Sequence, residues 1–500
     1  MRTPKITLVE LPPTEYGRLD DKLISTLFIK YLSFARGLHL LDAGLRQAGY
    51  TDVKVVSPGN AHSGMLHEKY WERLVSSDIV ALSTITLTAR QTEDLGVMLK
   101  KENPEITLIA GGPHVTYMIE DTLRWADVVV KREGDKTFPE LIDKLWKNGS
   151  PEGVRGTSYK KHGMVIHGPE RPALTIKELS MLPTPYYDKE TLDRMEVIPV
   201  NTGRGCPFPC DFCSVNDYYG KVTRRRSNDS TIEELKQVNS LPQKFIFFTD
   251  DNFAPDLKEK HAQTKDLLRR MIREGLTDKK LSAQVRVEAA FDDELLRLFK
   301  KADGVGVYVG LESMDKDSLK EMKKGSTPEK NMEAVRRFRK AGIWVHGMFI
   351  FGLDWDTKES LNTTMDWAKH NIDSMQIFAP IPLPGTPFAK RMRNEGRILT
   401  ERYNLYDAQH VILKPKNFTP YDLQIRILDR YEEFYSHKSR WGTKLLDFFK
   451  SPTKALIGGF GVYPYALKTL EGLLRSPQTI EHIEYLKSLN WPKAHIFHAI

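Results

Sequence analysis

The chain has 500 residues, with 74 basic and 66 acidic side chains and a formal charge of +8. It is 40% hydrophobic, 28% charged and 10% aromatic, which excludes a disordered, collagenous or disulfide-rich protein and suits about three domains. Three cysteines are too few for a disulfide framework, no apolar run reaches the roughly 20 residues of a spanning helix, and the N-terminal stretch lacks a signal peptide's apolar core, so a cytoplasmic protein is expected.

Residues 1–150 alternate strand and helix signals. Strands are predicted at Ile6–Leu11, Val53–Val56, Ile79–Ser83, Ile106–Ala110 and Val128–Val130. Helices are predicted at Phe34–Ala48, Leu66–Val75, Ala89–Lys100 and Phe138–Lys147. Near-continuous apolar strands with helices between them indicate a parallel sheet covered on both faces. Right-handed crossovers make it a doubly wound, Rossmann-like domain with any ligand at the carboxyl ends of the strands. The turns there read Ser83-Thr84-Ile85-Thr86, Gly111-Gly112-Pro113-His114 and Glu133-Gly134-Asp135. Each alone is an ordinary tight turn. Three on successive strands, with glycines and small hydroxyls that admit close backbone approach, suggest an extended cofactor.

Residues 151–195 are rich in proline, glycine and charge and read as a linker, with a short hairpin around Thr157–His167. From 196 to 388 the alternation resumes. Strands are predicted at Val197–Val200, Phe245–Thr249, Leu281–Val285, Val305–Gly310, Val345–Phe351 and Ser374–Ala379. Helices fit at Thr231–Ser240, Leu257–Glu274, Asp293–Lys301, Pro328–Lys340 and Lys358–His370. That count is too small for a closed (β/α)8 barrel and fits an open, partial (β/α)6 barrel of the TIM type. Residues 389–500 carry helical periods such as Leu423–Tyr435 and read as a helical C-terminal domain. The expected fold class is therefore α/β.

All three cysteines fall in one octet, Cys206-Pro-Phe-Pro-Cys210-Asp-Phe-Cys213, in the loop after the strand Val197–Val200. A structural zinc site wants four ligands, and no histidine lies nearby to be the fourth. A [4Fe-4S] cluster on three thiolates fits better and leaves one iron open to bind a small molecule.

With this spacing, Asn201-Thr-Gly-Arg-Gly-Cys206-Pro-Phe-Pro-Cys210-Asp-Phe-Cys213-Ser resembles the opening of the radical S-adenosylmethionine superfamily, Phe212 included. The resemblance covers about residues 196–390. It implies that Cys206, Cys210 and Cys213 ligate the cluster, that S-adenosylmethionine chelates the open iron, and that one electron splits the cofactor into a 5′-deoxyadenosyl radical that abstracts hydrogen from a substrate. By the same resemblance, Thr249 and Asp250 in Phe247-Phe-Thr-Asp-Asp-Asn252 contact the methionine ammonium, while Asp251 and Asn252 either join them or cap the next helix. Arg286 offers a fork to the methionine carboxylate, or is solvated or ion-paired. Glu312 in Gly310-Leu-Glu312-Ser313 binds ribose hydroxyls. Phe349 in Gly347-Met-Phe-Ile-Phe-Gly352 contacts adenine, or belongs to plain barrel core. Pro382-Leu-Pro-Gly385-Thr386-Pro387 resembles the closing loop.

A doubly wound domain ahead of such a barrel, with Leu82-Ser-Thr-Ile-Thr86, Gly111-Gly-Pro-His114 and Arg132-Glu-Gly-Asp135, resembles the cobalamin-binding class of the superfamily. Ser83, Thr84, Gly111, Gly112 and His114 then line the corrin and nucleotide-tail pocket. Many cobalamin domains carry Asp-x-His-x-x-Gly after the first strand, with the histidine on cobalt. Here the region reads Glu10-Leu-Pro-Pro-Thr-Glu-Tyr-Gly17, without histidine. The lower cobalt face is thus expected to be open or held by water or another side chain, and His62 and His67 are not expected to be ligands.

The leading expectation is cobalamin-dependent methylation of an unactivated carbon. The alternative is a non-methylating radical enzyme of the same architecture, such as the oxidative cyclase of anaerobic bacteriochlorophyll synthesis or a ring- or carbon–carbon bond-forming enzyme. A cobalamin-sensing protein ranks third, because no nucleic-acid module stands out. Expected partners are a small-molecule or lipid substrate and an electron donor such as flavodoxin or ferredoxin, with no nucleic acid. The mild positive charge is compatible with peripheral membrane contact. Arg224-Arg225-Arg226 reads as a solvated face or an anion site, Tyr218 and Tyr219 as pocket or packing residues, and Trp441–Phe449 and Phe460–Tyr465 as contacts for a lipid or isoprenoid substrate, core or an oligomer interface.

Overall fold

The computed structural model describes residues 3–11, 36–57, 66–255, 261–439 and 476–489. Contacts divide the chain into two units, one of residues 1–199, 224–230 and 402–404, the other of residues 200–223, 231–401 and 405–500.

In the first unit, short Ile-, Leu- and Val-rich runs form β1 (Ile6–Glu10), β2 (Val53–Val56), β3 (Ile79–Ser83), β4 (Thr107–Gly111) and β5 (Val128–Val130). They pair in parallel in the order β2-β1-β3-β4-β5. Successive side chains alternate between the faces. Ile6 and Leu8 of β1 pack with Leu38, Leu45, Phe138 and Leu141 from the helices Arg36–Gln47 and Gly134–Asn148. Val9 faces the other way, in a cluster with Leu74, Leu95 and Leu99. Each such buried side chain contributes about 1.5–3 kcal/mol. The strand order turns between β1 and β3, the switch point where an open α/β sheet receives a ligand.

The segment read as a linker extends this sheet. β6 (Thr157–Lys161) and β7 (Met164–His167) form an antiparallel hairpin on the β5 edge. His162 and Gly163, both at positive φ (52° and 78°), make the two-residue turn whose twist suits such a hairpin.

The second sheet runs β15-β14-β13-β12-β11-β8. Its strands are β8 (Val197–Val200), β11 (Phe245–Phe248), β12 (Lys280–Val285), β13 (Gly304–Glu312), β14 (Trp344–Ile350) and β15 (Ser374–Phe378). Two short strands, β9 (Gly203–Arg204) and β10 (Arg224–Arg225), fall between β8 and β11 in sequence. β11 to β15 pair in parallel, and the register slips between Gly310 and Glu312 on β13. Six strands leave a partial barrel with an open edge at β15. The helix Pro420–Ser439 covers that edge with two tyrosines one turn apart. Tyr435 Oη donates to the Met375 carbonyl (2.5 Å) and accepts from its N–H (3.2 Å), and Tyr431 Oη does the same for Ile377 (2.9 and 2.7 Å). The strand's otherwise unpaired groups are thereby satisfied. Among the described residues no helix is long and apolar enough to cross a membrane. The stretches Trp441–Phe449 and Phe460–Tyr465 lie outside the described residues.

Candidate active site

In the second unit, the cysteine loop leaves the carboxyl end of β8 and enters the helix Ser214–Tyr219, with Cys213 at its N-cap. The loop is held at several points. Thr202 donates to Asp250 through its N–H (3.2 and 3.1 Å to the two carboxylate oxygens) and its hydroxyl (2.6 Å). Gly205 donates its N–H to Asp251 Oδ2 at 3.1 Å. Gly205 adopts φ +85°, and a Cβ there would lie 2.6 Å from the Val222 carbonyl, so only glycine fits. Asp211 Oδ2 accepts from Arg391 Nη1 at 2.6 Å, and its carbonyl accepts from Phe388 N–H at 3.2 Å. Both partners lie on the helix Pro387–Asn394, which the resembling closing loop starts through its N-cap Thr386. Asn216 ties the Phe208 carbonyl at 2.6 Å.

Burial pushes the Cys213 thiol up to about 12 and raises that of Cys206, whose rise is opposed by the Phe208 N–H and the Arg286 charge. Such thiols become ligands only when a metal takes their protons. Among the described residues, no three His, Cys, Asp or Glu groups converge closely enough for a single metal ion. A cluster that gives each thiolate its own iron does not require such convergence.

The residues expected around the cluster gather at the carboxyl ends of β8, β11, β12 and β13, but several are already engaged. Thr249 donates its N–H (2.8 Å) and hydroxyl (3.3 Å) to the Val200 carbonyl. Asp250 is buried on Thr202. Asp251 anchors Gly205, and burial pushes its carboxyl up to about 6 against that hydrogen bond. Neither Asp251 nor Asn252 caps the next described helix, Ala262–Arg273, whose N-cap is His261. Asn252 is buried, and its Oδ1 has no hydrogen-bond partner. Arg286 is neither solvated nor free: it is 7% exposed, pairs with Glu288 at 3.1 Å, and points Nη1 at Cys210 Sγ, 3.9 Å away. Glu312 pairs with Lys324 at 2.6 Å, in a left-handed backbone conformation (φ 61°) that is rare for a side chain of its size. Gly310 leaves the space for that pair, since a Cβ there would meet Glu312 Oε1 at 2.5 Å.

Two aromatic rings singled out in the sequence, Phe349 and Phe212, are engaged in packing. Phe349 is 0% exposed, so its ring is core with no free face for a nucleobase. Phe212 packs against the apolar groups Leu319, Met322 and Leu353 on one side and Phe388 and Met392 on another. Aromatic neighbours instead line the less buried face of the sheet: Tyr308 lies 5.3 Å from Phe247 and 4.8 Å from His346. Burial pushes His346 down to about 4, against a hydrogen bond with Gln376, so its ring is uncharged at neutral pH. Tyr218 and Tyr219 pack edge to face at 4.8 Å.

In the first unit, Glu10, Ser83 and Gly111 stand side by side at the carboxyl ends of β1, β3 and β4. Gly112 adopts φ +104°, and a Cβ there would sit 2.7 Å from the Thr84 carbonyl. The buried Thr84 hydroxyl has no hydrogen-bond partner. His114 is buried, its Nδ1 3.3 Å from Thr86 Oγ1 and its ring edge-on to Tyr403, and burial pushes it down to about 4. Glu10, unanticipated from sequence, accepts from Ser83 at 3.1 Å, and burial pushes its carboxyl up to about 7 against that bond. The third turn is structural: Glu133 accepts from Leu174 N–H (3.0 Å) and Arg224 (2.8 Å). Arg224 to Arg226 are therefore no solvated face. Arg224 is tied to Glu133, Arg225 is buried, and Arg226 bonds Ser230. The His62 and His67 side chains lie outside the described residues.

Comparison with known proteins finds two domain families in the chain. A model of the radical SAM superfamily matches residues 200–368, and a model of the B12 binding domain matches residues 27–142. An uncharacterised methyltransferase of Pyrococcus horikoshii is 33% identical over 451 residues, 87% of this chain and 93% of that protein. The anaerobic magnesium-protoporphyrin IX monomethyl ester cyclase of Cereibacter sphaeroides is 29% identical over 80% of this chain and 66% of its own length. Among solved structures, the radical S-adenosylmethionine methyltransferase TsrM from Kitasatospora setae, with cobalamin and a [4Fe-4S] cluster bound, shares the fold. Its TM-score is 0.63, covering 79% of this chain and 75% of that one at 17% identity.

Proposed function

The chain belongs to the radical SAM superfamily, in the branch with a B12-binding domain, and from that premise we propose that it is a cobalamin-dependent radical methyltransferase acting on an unactivated carbon of a small-molecule or lipid substrate. The observation that carries this reading is the pairing, in one chain, of a three-cysteine loop with a switch-point edge where a buried Thr84 hydroxyl is unspent and Gly112 leaves a cradle. When bound, the cluster with S-adenosylmethionine supplies a hydrogen-abstracting radical, and cobalamin carries the methyl group.

The chain's own residues do the positioning. Cys206, Cys210 and Cys213 would hold the cluster, which would supply the site for the methionine end of the nucleoside cofactor. Asp250 and Asp251 fix the loop's first half and Asp211 its second, so the thiolates are placed before iron arrives. Thr249 retains hydroxyl lone pairs for an ammonium. Glu312 keeps one carboxylate oxygen beyond its bond to Lys324 for ribose hydroxyls. Ser83, Thr84, Gly111, Gly112 and His114 shape the edge for a corrinoid and its nucleotide tail. The grouped rings of Phe247, Tyr308 and the neutral His346 support a substrate whose reacting portion carries no charge. A donor such as flavodoxin or ferredoxin is the source of the electron.

Anaerobic reconstitution with iron, sulfide and cobalamin tests the reading. The expected result is a spectrum of cluster plus corrinoid, 5′-deoxyadenosine in the presence of reductant, and S-adenosylhomocysteine once a substrate is supplied. The likeness to the cyclase favours a second reading, oxidation without methyl transfer. Formation of 5′-deoxyadenosine with substrate turnover but no methylated product would select it.

A further inference from the structure

Arg286 stands at the carboxyl end of β12, where the resemblance gives it the carboxylate of S-adenosylmethionine. Its actual surroundings leave no hand free for that task. Nε pairs with Glu288 Oε2 at 3.1 Å, and Nη2 donates to the Lys324 carbonyl at 2.5 Å. The guanidinium face lies 3.7 Å from the centre of the Phe208 ring, inside the cysteine octet. The remaining arm, Nη1, is directed at Cys210 Sγ, 3.9 Å away. Lys324 is itself fixed through its Nζ by Glu312, and Glu288 through its other oxygen by Lys330 at 2.8 Å. Swinging Arg286 toward a ligand would break a buried ion pair, a hydrogen bond and a stack together.

Resting on the radical reading above, we propose that Arg286 is a positioning and tuning residue for the cluster: its guanidinium hydrogen-bonds the Cys210 sulfur and raises the cluster's reduction potential, and it does not clamp the carboxylate of S-adenosylmethionine. Reduction adds one negative charge to the cluster and its thiolates. A cation fixed beside one sulfur, out of water, favours the reduced form, and hydrogen bonds to cluster sulfurs act in the same direction. Glu288 opposes this effect, but it shares its charge with Lys330, so the three groups together remain cationic.

The test uses the full chain reconstituted anaerobically with iron and sulfide, without cobalamin or substrate. Iron and sulfide per chain, the cluster's midpoint by an electron paramagnetic resonance titration, and S-adenosylmethionine affinity from its effect on the same signal are measured for the parent, Arg286→Gln and Glu288→Gln. The expected result is a complete cluster of about four irons in each, a midpoint shifted negative in R286Q and positive in E288Q, and affinity for S-adenosylmethionine within about twofold of the parent. An unmoved midpoint in R286Q with its cluster intact, together with affinity lowered about tenfold or more, would overturn the proposal in favour of the carboxylate clamp. Should R286Q fail to hold a cluster, E288Q decides: a positive shift supports the proposal and an unmoved midpoint refutes it. A parent chain that takes up no cluster refutes the radical reading itself, a result distinct from either.

Discussion

The carboxyl edges of the two sheets are built to opposite plans. In the second unit, Asp211, Asp250, Asp251, Arg286 and Glu312 are each committed to a partner. In the first unit, the switch-point edge holds a hydroxyl without a partner on Thr84, a carboxyl on Glu10 with a single modest hydrogen bond, and a glycine cradle. The difference teaches what each ligand demands. Thiolates bound to iron need a loop whose shape is set beforehand, and Asp211, Asp250 and Asp251 serve that loop. A large organic cofactor held without covalent bonds is recognised by groups the protein has not yet spent.

Four substitutions test that contrast, in descending order of effect. Replacing Cys213 with alanine removes a cluster ligand and should lower S-adenosylmethionine cleavage by about a thousandfold or more, near 4 kcal/mol of barrier, while corrinoid uptake by the first unit persists. Absorbance after reconstitution and chromatographic assay of 5′-deoxyadenosine read the two separately. Asp250→Ala strands the buried Thr202 N–H and hydroxyl and should cost about 3 kcal/mol in urea unfolding. Gly112→Ala forces a Cβ against the Thr84 carbonyl at a φ reserved for glycine. About 2 kcal/mol of stability and most of the corrinoid retained through gel filtration should go, with iron content untouched; loss of iron instead would mean the two edges are not independent.

The smallest effect concerns Glu10 and depends on pH. Its carboxyl is raised from the ordinary 4.5 to about 7, mainly by burial. Below the lower value it is protonated in both folded and unfolded chains, and ionisation costs nothing. Between the two values the unfolded chain releases the proton and the folded chain keeps it, so stability falls as pH rises, and above about 7 the penalty is complete. Glu10→Gln should therefore stabilise by about 1 kcal/mol at pH 8, after allowance for residual exposure, and by nothing at pH 4. Equal melting curves at pH 8 would show that Glu10 ionises freely.

The strands were legible almost to the residue, because Val53–Val56, Ile79–Ser83 and Val128–Val130 are apolar runs bounded by polar turns. The cysteine loop was equally clear, since its spacing is local. What the sequence could not disclose were pairings set by the packed fold. Asp211 meets Arg391 180 positions away, and Glu133 meets Arg224 91 positions away. Phe349 looked available for a nucleobase because an apolar strand residue gives no sign of which face it presents. The hairpin expected around Thr157–His167 is there, turned by His162-Gly163, but the composition that suggested a linker over 151–195 gave no sign that it would pair with β5 and extend the sheet. Glu10 had a faint signal of its own: an acid ending a strand that is otherwise wholly apolar.

The two phenols on Pro420–Ser439 carry a consequence of their own. Helical residues four apart advance about 6 Å along their axis, close to the spacing of alternate strand residues. A helix can therefore end a sheet in place of another strand, meeting each amide unit of Met375 and Ile377 with one hydroxyl. Taking those hydroxyls away by phenylalanine at both positions would keep the rings and expose the rim, and the molecule that then came to rest against it could be another copy of itself.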